Sequence, residues 1–292
     1  MVRPATVYLN GQFISRDKAS ISPDDRGFYF ADGVYEVIKY YKGKPFCFDD
    51  HINRLENSLR MIRLRYPGID KLSHVCDALI EANEFRNKYA GIYLQITRGS
   101  ANRTHRFPPK DVQPTIYARA FFFQNCLSEM AEGVVAFTRE DIRWHLCNVK
   151  SIGLLPNTML FEEVAEIGAF ECILVREGYI TEATHSNVFG VKNGVVYTHP
   201  ESNLILPGIT RKEVLKICRD LDIDISEEPI KRPDIGKYNE WFLTGTGSEI
   251  VPVIQIDSTL VGDGNPGKIT RKIQNEFLRR TYEELAGEKI EL

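Results

Sequence analysis

The period of the apolar positions changes several times along the chain. Val7-Tyr8-Leu9-Asn10-Gly11-Gln12-Phe13-Ile14 predicts two short strands about an Asn-Gly turn. Asp24-Asp25-Arg26-Gly27 predicts a polar loop. Residues 33–41 are rich in β-branched and aromatic side chains and predict a strand. Alternation puts Tyr35, Val37 and Lys39 on one of its faces. Ile52, Leu55, Leu59 and Ile62 then recur at helical spacing, with Asp49 or Asp50 as a cap and Tyr66-Pro67-Gly68 as a stop. A second helix is predicted over 72–85 and strands over 90–97 and 114–123, with an irregular basic loop at 98–109 between them.

Near Gln124 an apolar strand gives way to a polar connector, which predicts a domain boundary. The expected organisation is a small N-terminal α/β domain over 1–123, a connector over 124–130 and a larger C-terminal domain over 131–292. The second part opens with a strand over 133–138 and an irregular strand over 141–149 that gives way to a loop at Lys150. A helix over 158–167 ends at Gly168. Strands follow over 170–176, 179–181 and 187–191, and Leu206-Pro207-Gly208-Ile209-Thr210-Arg211 leads into a helix that ends near Leu221. Strands over 240–244 and 252–256 precede a closing helix over 268–285. Strands outnumber those of a simple βαβ array, so the expected class is α+β with much antiparallel pairing.

Composition narrows the function. The 292 residues are 43% hydrophobic and 26% charged, with net charge −3. That balance suits a soluble globular protein and offers no general basic surface for nucleic acid. No apolar run of about 18 residues predicts a membrane span. Met1-Val2-Arg3-Pro4-Ala5-Thr6 has no apolar signal core. Six scattered cysteines without a CxxC pair predict reduced cytoplasmic thiols and no zinc cluster.

Four polar constellations could carry chemistry. Lys150 stands where strand gives way to loop, among Val149, Ile152 and Leu154. An amine in apolar company is a candidate for Schiff-base formation with an aldehyde, although a lysine there could simply snorkel to water. Glu182 sits in a polar loop, where it is either a solvent-facing turn residue or a partner for a pyridine nitrogen. Gly208-Ile209-Thr210 before a helix and Gly245-Thr246-Gly247-Ser248 at a strand end are candidate phosphate cups, and ordinary turns otherwise. Arg103-Thr104-His105 could hold a carboxylate or form a plain basic surface loop.

Together these residues resemble the fold-type IV pyridoxal-phosphate (PLP) aminotransferases. The resemblance spans essentially the full chain. It rests on five blocks in order: Asp25-Arg26-Gly27 with Asp32-Gly33-Val34-Tyr35-Glu36; His51-Ile52-Asn53-Arg54-Leu55; Asp141-Ile142-Arg143-Trp144 through Lys150-Ser151; Glu182 with Ser186-Asn187-Val188-Phe189; and Leu206-Pro207-Gly208-Ile209-Thr210-Arg211. It implies a two-domain fold whose larger domain is a pseudo-barrel of mainly antiparallel strands. It implies PLP as cofactor, amino acids and 2-oxo acids as substrates, and a homodimer. It assigns Lys150 to the Schiff base and proton transfer, and Glu182 to the pyridine nitrogen. The phosphate would be held by Ile209, Thr210, Thr246 and Arg54, and Arg54 by its position alone reads as a helix-surface arginine.

Within the family the set is most similar to the D-amino-acid transaminases. There Tyr35, Arg103 and His105 would hold the substrate carboxylate, with Arg103 and His105 reaching in from the partner subunit. Val37 and Lys39 would border the pocket. Two departures keep alternatives open. Thr184-His185-Ser186 stands where a serine run is usual, and Pro207 stands where lysine is common. An L-branched-chain transaminase is the first alternative and aminodeoxychorismate lyase the second.

Overall fold

Asn10 and Gly11 both take positive φ, 46° and 93°, as the two-residue hairpin turn requires. They join β1 (Thr6–Leu9) to β2 (Gln12–Ser15), the first elements of a computed structural model that describes residues 5–290 and 292. Met1 to Pro4, part of the segment read above for a signal core, lie outside the described residues. The chain divides into two units, 1–124 with 149–154, and 125–148 with 155–292.

The first unit continues through α1 (Arg26–Phe30), β3 (Gly33–Tyr41), β4 (Lys44–Pro45), α2 (Phe48–Met61), α3 (Leu72–Ala82), β5 (Tyr89–Thr97) and β6 (Thr115–Phe122). Its antiparallel sheet has the order β2-β1-β6-β5-β3-β4. The loop expected at 24–27 is instead a helix start. The Asp25 side chain accepts from the Gly27 N–H at 2.8 Å and caps α1.

Helix α2 buries Leu55 and Leu59 of the predicted stripe against Val34, Ile38 and Tyr40 of β3. Its cap is Cys47, in a left-handed conformation, and not Asp49 or Asp50. Those carboxylates lie in the first turn, where they favour the helix dipole. The α-helix stops at Met61, before Pro67, because Arg63 takes a positive φ of 55° and the Leu64 N–H turns back to the Leu59 carbonyl at 2.9 Å; Arg98 then takes the carbonyls of Ile62 (2.8 Å) and Arg63 (3.1 Å).

Val149–Leu154 belong to the first unit, although the sequence places 131–292 wholly in the second. Val34 bridges Ser151, and the Tyr35 N–H donates to the Lys150 carbonyl at 3.0 Å, so this segment lengthens the β3 edge. The strand expected over 141–149 is absent; regular structure ends at Glu140.

The second unit contains α4 (Leu127–Glu132), β7 (Val134–Glu140), α5 (Leu155–Ala165), β8 (Glu171–Arg176), β9 (Tyr179–Ala183), β10 (Asn187–Lys192), β11 (Val195–Thr198), α6 (Ile209–Asp220), β12 (Ile225–Ser226), β13 (Ile230–Lys231), β14 (Glu240–Gly245), β15 (Glu249–Ile256), β16 (Thr259–Leu260) and α7 (Lys268–Leu278). The predicted last helix widens into a π turn over Arg279–Glu283. The sheet order is β12-β11-β10-β14-β15-β7-β8-β9-β13, with β16 on β15. Strands β9 and β10 lie several places apart on that path, yet only Thr184, His185 and Ser186 separate them. The sheet therefore curls back on itself. This is the α+β architecture with a curled, mainly antiparallel sheet that the resemblance implied.

Leu55→Ala, at a position without solvent exposure, should cost about 2–5 kcal/mol of unfolding free energy in denaturant titration, as fully buried leucines do.

Candidate active site

In the first unit the predicted helix-surface arginine is buried. Arg54 forks onto Glu36, with Nε donating to Oε1 and Nη2 to Oε2, each at 2.8 Å. His51 Nδ1 lies 2.7 Å from the same carboxylate. Glu36 is fully buried, on the β3 face that meets α2. Burial works to raise its pKa, but the Arg54 and His51 contacts prevail and hold it at about 2. His51 moves below the usual histidine range, because burial outweighs Glu36. Ser58, one turn further along α2, accepts from the Lys150 N–H at 3.2 Å. Glu36, His51 and Ser58 had no independent signal in the hydrophobic pattern.

The Lys150 side chain is half-buried, and its ammonium stands 4.2 Å from the Tyr35 ring centroid. No carboxylate pairs with it among the described residues. Tyr35 stacks on Tyr93 at 5.7 Å. Val37 shares the Tyr35 face and is partly exposed. Lys39 is buried, with its ammonium 5.0 Å from the Tyr41 ring and 5.1 Å from the Phe123 ring. Arg103 and His105 are exposed and both pack against Phe30, the guanidinium at 5.2 Å and the imidazole at 5.6 Å. These contacts turn the pair to one side of its loop, and they run to Phe30 rather than to Tyr35.

In the second unit Glu182 is a buried strand residue, where the sequence left a solvent-facing turn open. Ile173 faces Ala183 and Val175 faces Ile180, so two steps of β8 match three of β9. That extra residue makes a bulge at Thr181 and Glu182, which re-aims the side chain. Glu182 accepts from Arg143 Nη1 (2.5 Å), Asn187 Nδ2 (3.1 Å) and the Leu206 N–H (3.0 Å). Burial pushes its pKa up, and Arg143 opposes that rise. Arg143 also forks onto Asp141 through Nε and Nη2, both at 2.9 Å. Burial works to raise the Asp141 carboxyl, but Arg143 prevails and lowers it.

Ile209 and Thr210, both buried, open α6. A Cβ at Gly208 would collide with Asn187 Oδ1, so glycine is required there. Thr246 lies in the turn from β14 to β15. The buried hydroxyls of Thr244 and Ser248, which flank that turn, have no hydrogen-bond partner. The sequence places Ser248 in a candidate phosphate cup, with an ordinary turn as the alternative, and gives Thr244 no such part. The Thr184-His185-Ser186 departure also has a structural account. Glu171, fully buried, accepts from the Thr184 hydroxyl and from Ser186 Oγ at 2.6 Å, and pairs with His185 Nδ1 at 2.9 Å. One carboxylate thus ties down the whole β9–β10 link.

Residues 33–256 match the family described as aminotransferase class IV. The chain is 38% identical to a D-alanine aminotransferase of Bacillus licheniformis, over 96% of this chain and 98% of that protein. It is 39% identical to a D-alanine aminotransferase of Staphylococcus haemolyticus, over 93% and 96%. The chain belongs to the class IV aminotransferases. The branched-chain amino acid aminotransferase of Escherichia coli has a similar fold, with a TM-score of 0.88 at 27% identity over 99% of this chain and 97% of that one.

Class IV aminotransferases use PLP, and the second unit fits such a cofactor. Glu182 supplies a buried carboxylate that accepts three bonds and keeps about one acceptor site to spare. The free N–H groups opening α6 and the unpartnered hydroxyls about Thr246 suit a phosphate.

The Glu36 contribution to stability is fully present above the ordinary carboxylate value of 4.5 and is lost as pH falls through about 2. His51 adds a loss of the same sign below the usual histidine range. Thermal melts should therefore show stability declining from pH 7 to pH 3. Glu36→Gln should lower the melting temperature at pH 7 and flatten that decline.

Proposed function

We propose that this chain is a PLP-dependent D-amino-acid:2-oxo-acid transaminase, acting in the cytoplasm as at least a homodimer. The observation that carries the cofactor reading is Glu182, buried and held by three donors from separate segments. The D-specific reading is supported by the match of Tyr35, Arg103 and His105 in the sequence and by the D-alanine aminotransferase relatives. PLP, when bound, supplies an electron sink that makes the substrate Cα–H acidic.

The chain's own residues do the rest. Arg54, the α6 N-terminus with Ile209 and Thr210, and Thr246 would hold the phosphate. Glu182 would keep the pyridine nitrogen protonated, and Arg143, Asn187 and Leu206 fix Glu182 in place. Lys150 would bind the cofactor through its side-chain amine and would move the proton between the substrate Cα and the cofactor C4′. The stack of Tyr35 on Tyr93 steadies one wall beside Lys150, with Val37 and Lys39 along the same strand face. Arg103 and His105 bind the substrate carboxylate, and they must come from a second copy if they act across an interface. Amino donor and 2-oxo acid acceptor react in turn, giving ping-pong kinetics.

A second reading, an L-branched-chain transaminase, is favoured by Leu206-Pro207-Gly208-Ile209-Thr210. Mixing the loaded protein with D-alanine or L-leucine, and following the cofactor absorbance, separates the two. Bleaching by D-alanine is expected; bleaching by L-leucine alone would reverse the choice. Lys150→Ala should lose a factor of about 10²–10⁴ or more in kcat and should no longer be labelled by borohydride.

A further inference from the structure

The loop carrying Arg103 and His105 has no regular structure over 101–114, and its tip is exposed. A binding pair on such a loop loses orientational entropy unless something fixes the backbone. Arg26 does so from α1. Its Nη1 donates to the Thr104 carbonyl at 2.8 Å, between the two side chains in question. Its Nε donates to Asp32 Oδ2 at 2.8 Å. Asp32 also receives Arg98 Nε at 2.8 Å, and Arg98 takes the Ile62 and Arg63 carbonyls beyond the end of α2. A continuous, partly buried polar chain thus runs from the end of the helix that bears Arg54 to the backbone of the loop.

Phe30 completes the arrangement. Its ring takes the Arg26 guanidinium at 4.7 Å, Arg103 at 5.2 Å and the His105 ring at 5.6 Å. Arg26, Arg98 and Arg103 would repel one another in this space. Asp32, partly buried and paired with both Arg26 and Arg98, offsets that repulsion.

We infer that Asp32, Arg26 and Phe30 are positioning residues that fix Arg103 and His105 as a preformed carboxylate clamp. The inference rests on the reading of that pair as substrate-binding. None of the three needs to touch substrate; each acts through the Thr104 backbone or through the ring beneath the pair.

Two readouts on the full-length, cofactor-loaded protein test it. The first is native trypsin cleavage after Arg103 and Arg106, compared with cleavage after exposed Arg86. Arg26→Lys, Asp32→Asn and Phe30→Leu should speed cutting in the loop on the order of tenfold and leave Arg86 unchanged. Phe30→Leu keeps every charge and decides the matter if Asp32→Asn unfolds. The second readout is a kinetic cycle. Arg26→Lys should raise KM for the amino acid on the order of tenfold with kcat within about threefold, and this effect should vanish in an Arg103→Ala background. Loop cleavage at the unsubstituted rate overturns the inference, as does a KM effect that persists without Arg103. The cycle uses whichever enantiomer is turned over, so an L-preference would sink the D-specific reading and leave the clamp testable. In a protein without turnover the cleavage result decides alone.

Discussion

A carboxylate without access to water must be given donors, and that constraint organises the second unit. Glu182 obtains them from the segment after β7, from the first residue of β10 and from the backbone ahead of α6. Each donor is itself held. Arg143 is forked by Asp141, and Asn187 also reaches the Leu206 carbonyl at 3.0 Å. Breaking one partner of such a group leaves a buried charge unpaired, which costs far more than the pair contributes. The arrangement therefore persists as a whole or fails as a whole, and that suits a residue whose proposed task is to stay in register with a planar ring.

The first unit solves the same problem twice. Glu36 is satisfied by two residues of α2, and Asp32 by two arginines that also collect stray carbonyls. His51, Arg54 and Ser58 follow the helical period of the apolar stripe, each beside one of its members. The same helix thus packs the core with one stripe and presents polar groups to β3 and to the Lys150 backbone with the next.

Curling of the larger sheet brings these needs together in the second unit. The short link from β9 to β10 forces the sheet round, and Glu171 holds the link by all three of its side chains. A bulge immediately before it turns Glu182 to its donors. His185, which departs from the serine run usual in the resembling enzymes, replaces a neutral donor with a larger one that also packs on Phe161 at 5.3 Å.

The sequence by itself determined the strands and helices wherever period and turn chemistry agree, as at Asn10-Gly11, in β3 and in the apolar stripe of α2. It also determined the family, because five separated blocks keep one order. Tertiary structure alone decided what the polar residues do. Arg54 and Glu182 read locally as surface residues, since a charge on a helix or in a turn is usually solvated; only long-range pairing with Glu36 and with Arg143 made burial tolerable. The return of the Lys150 segment to the first unit was likewise hidden. It depends on pairing of Tyr35 and Val34 with Lys150 and Ser151, far apart in the chain, and a local pattern carries no record of that.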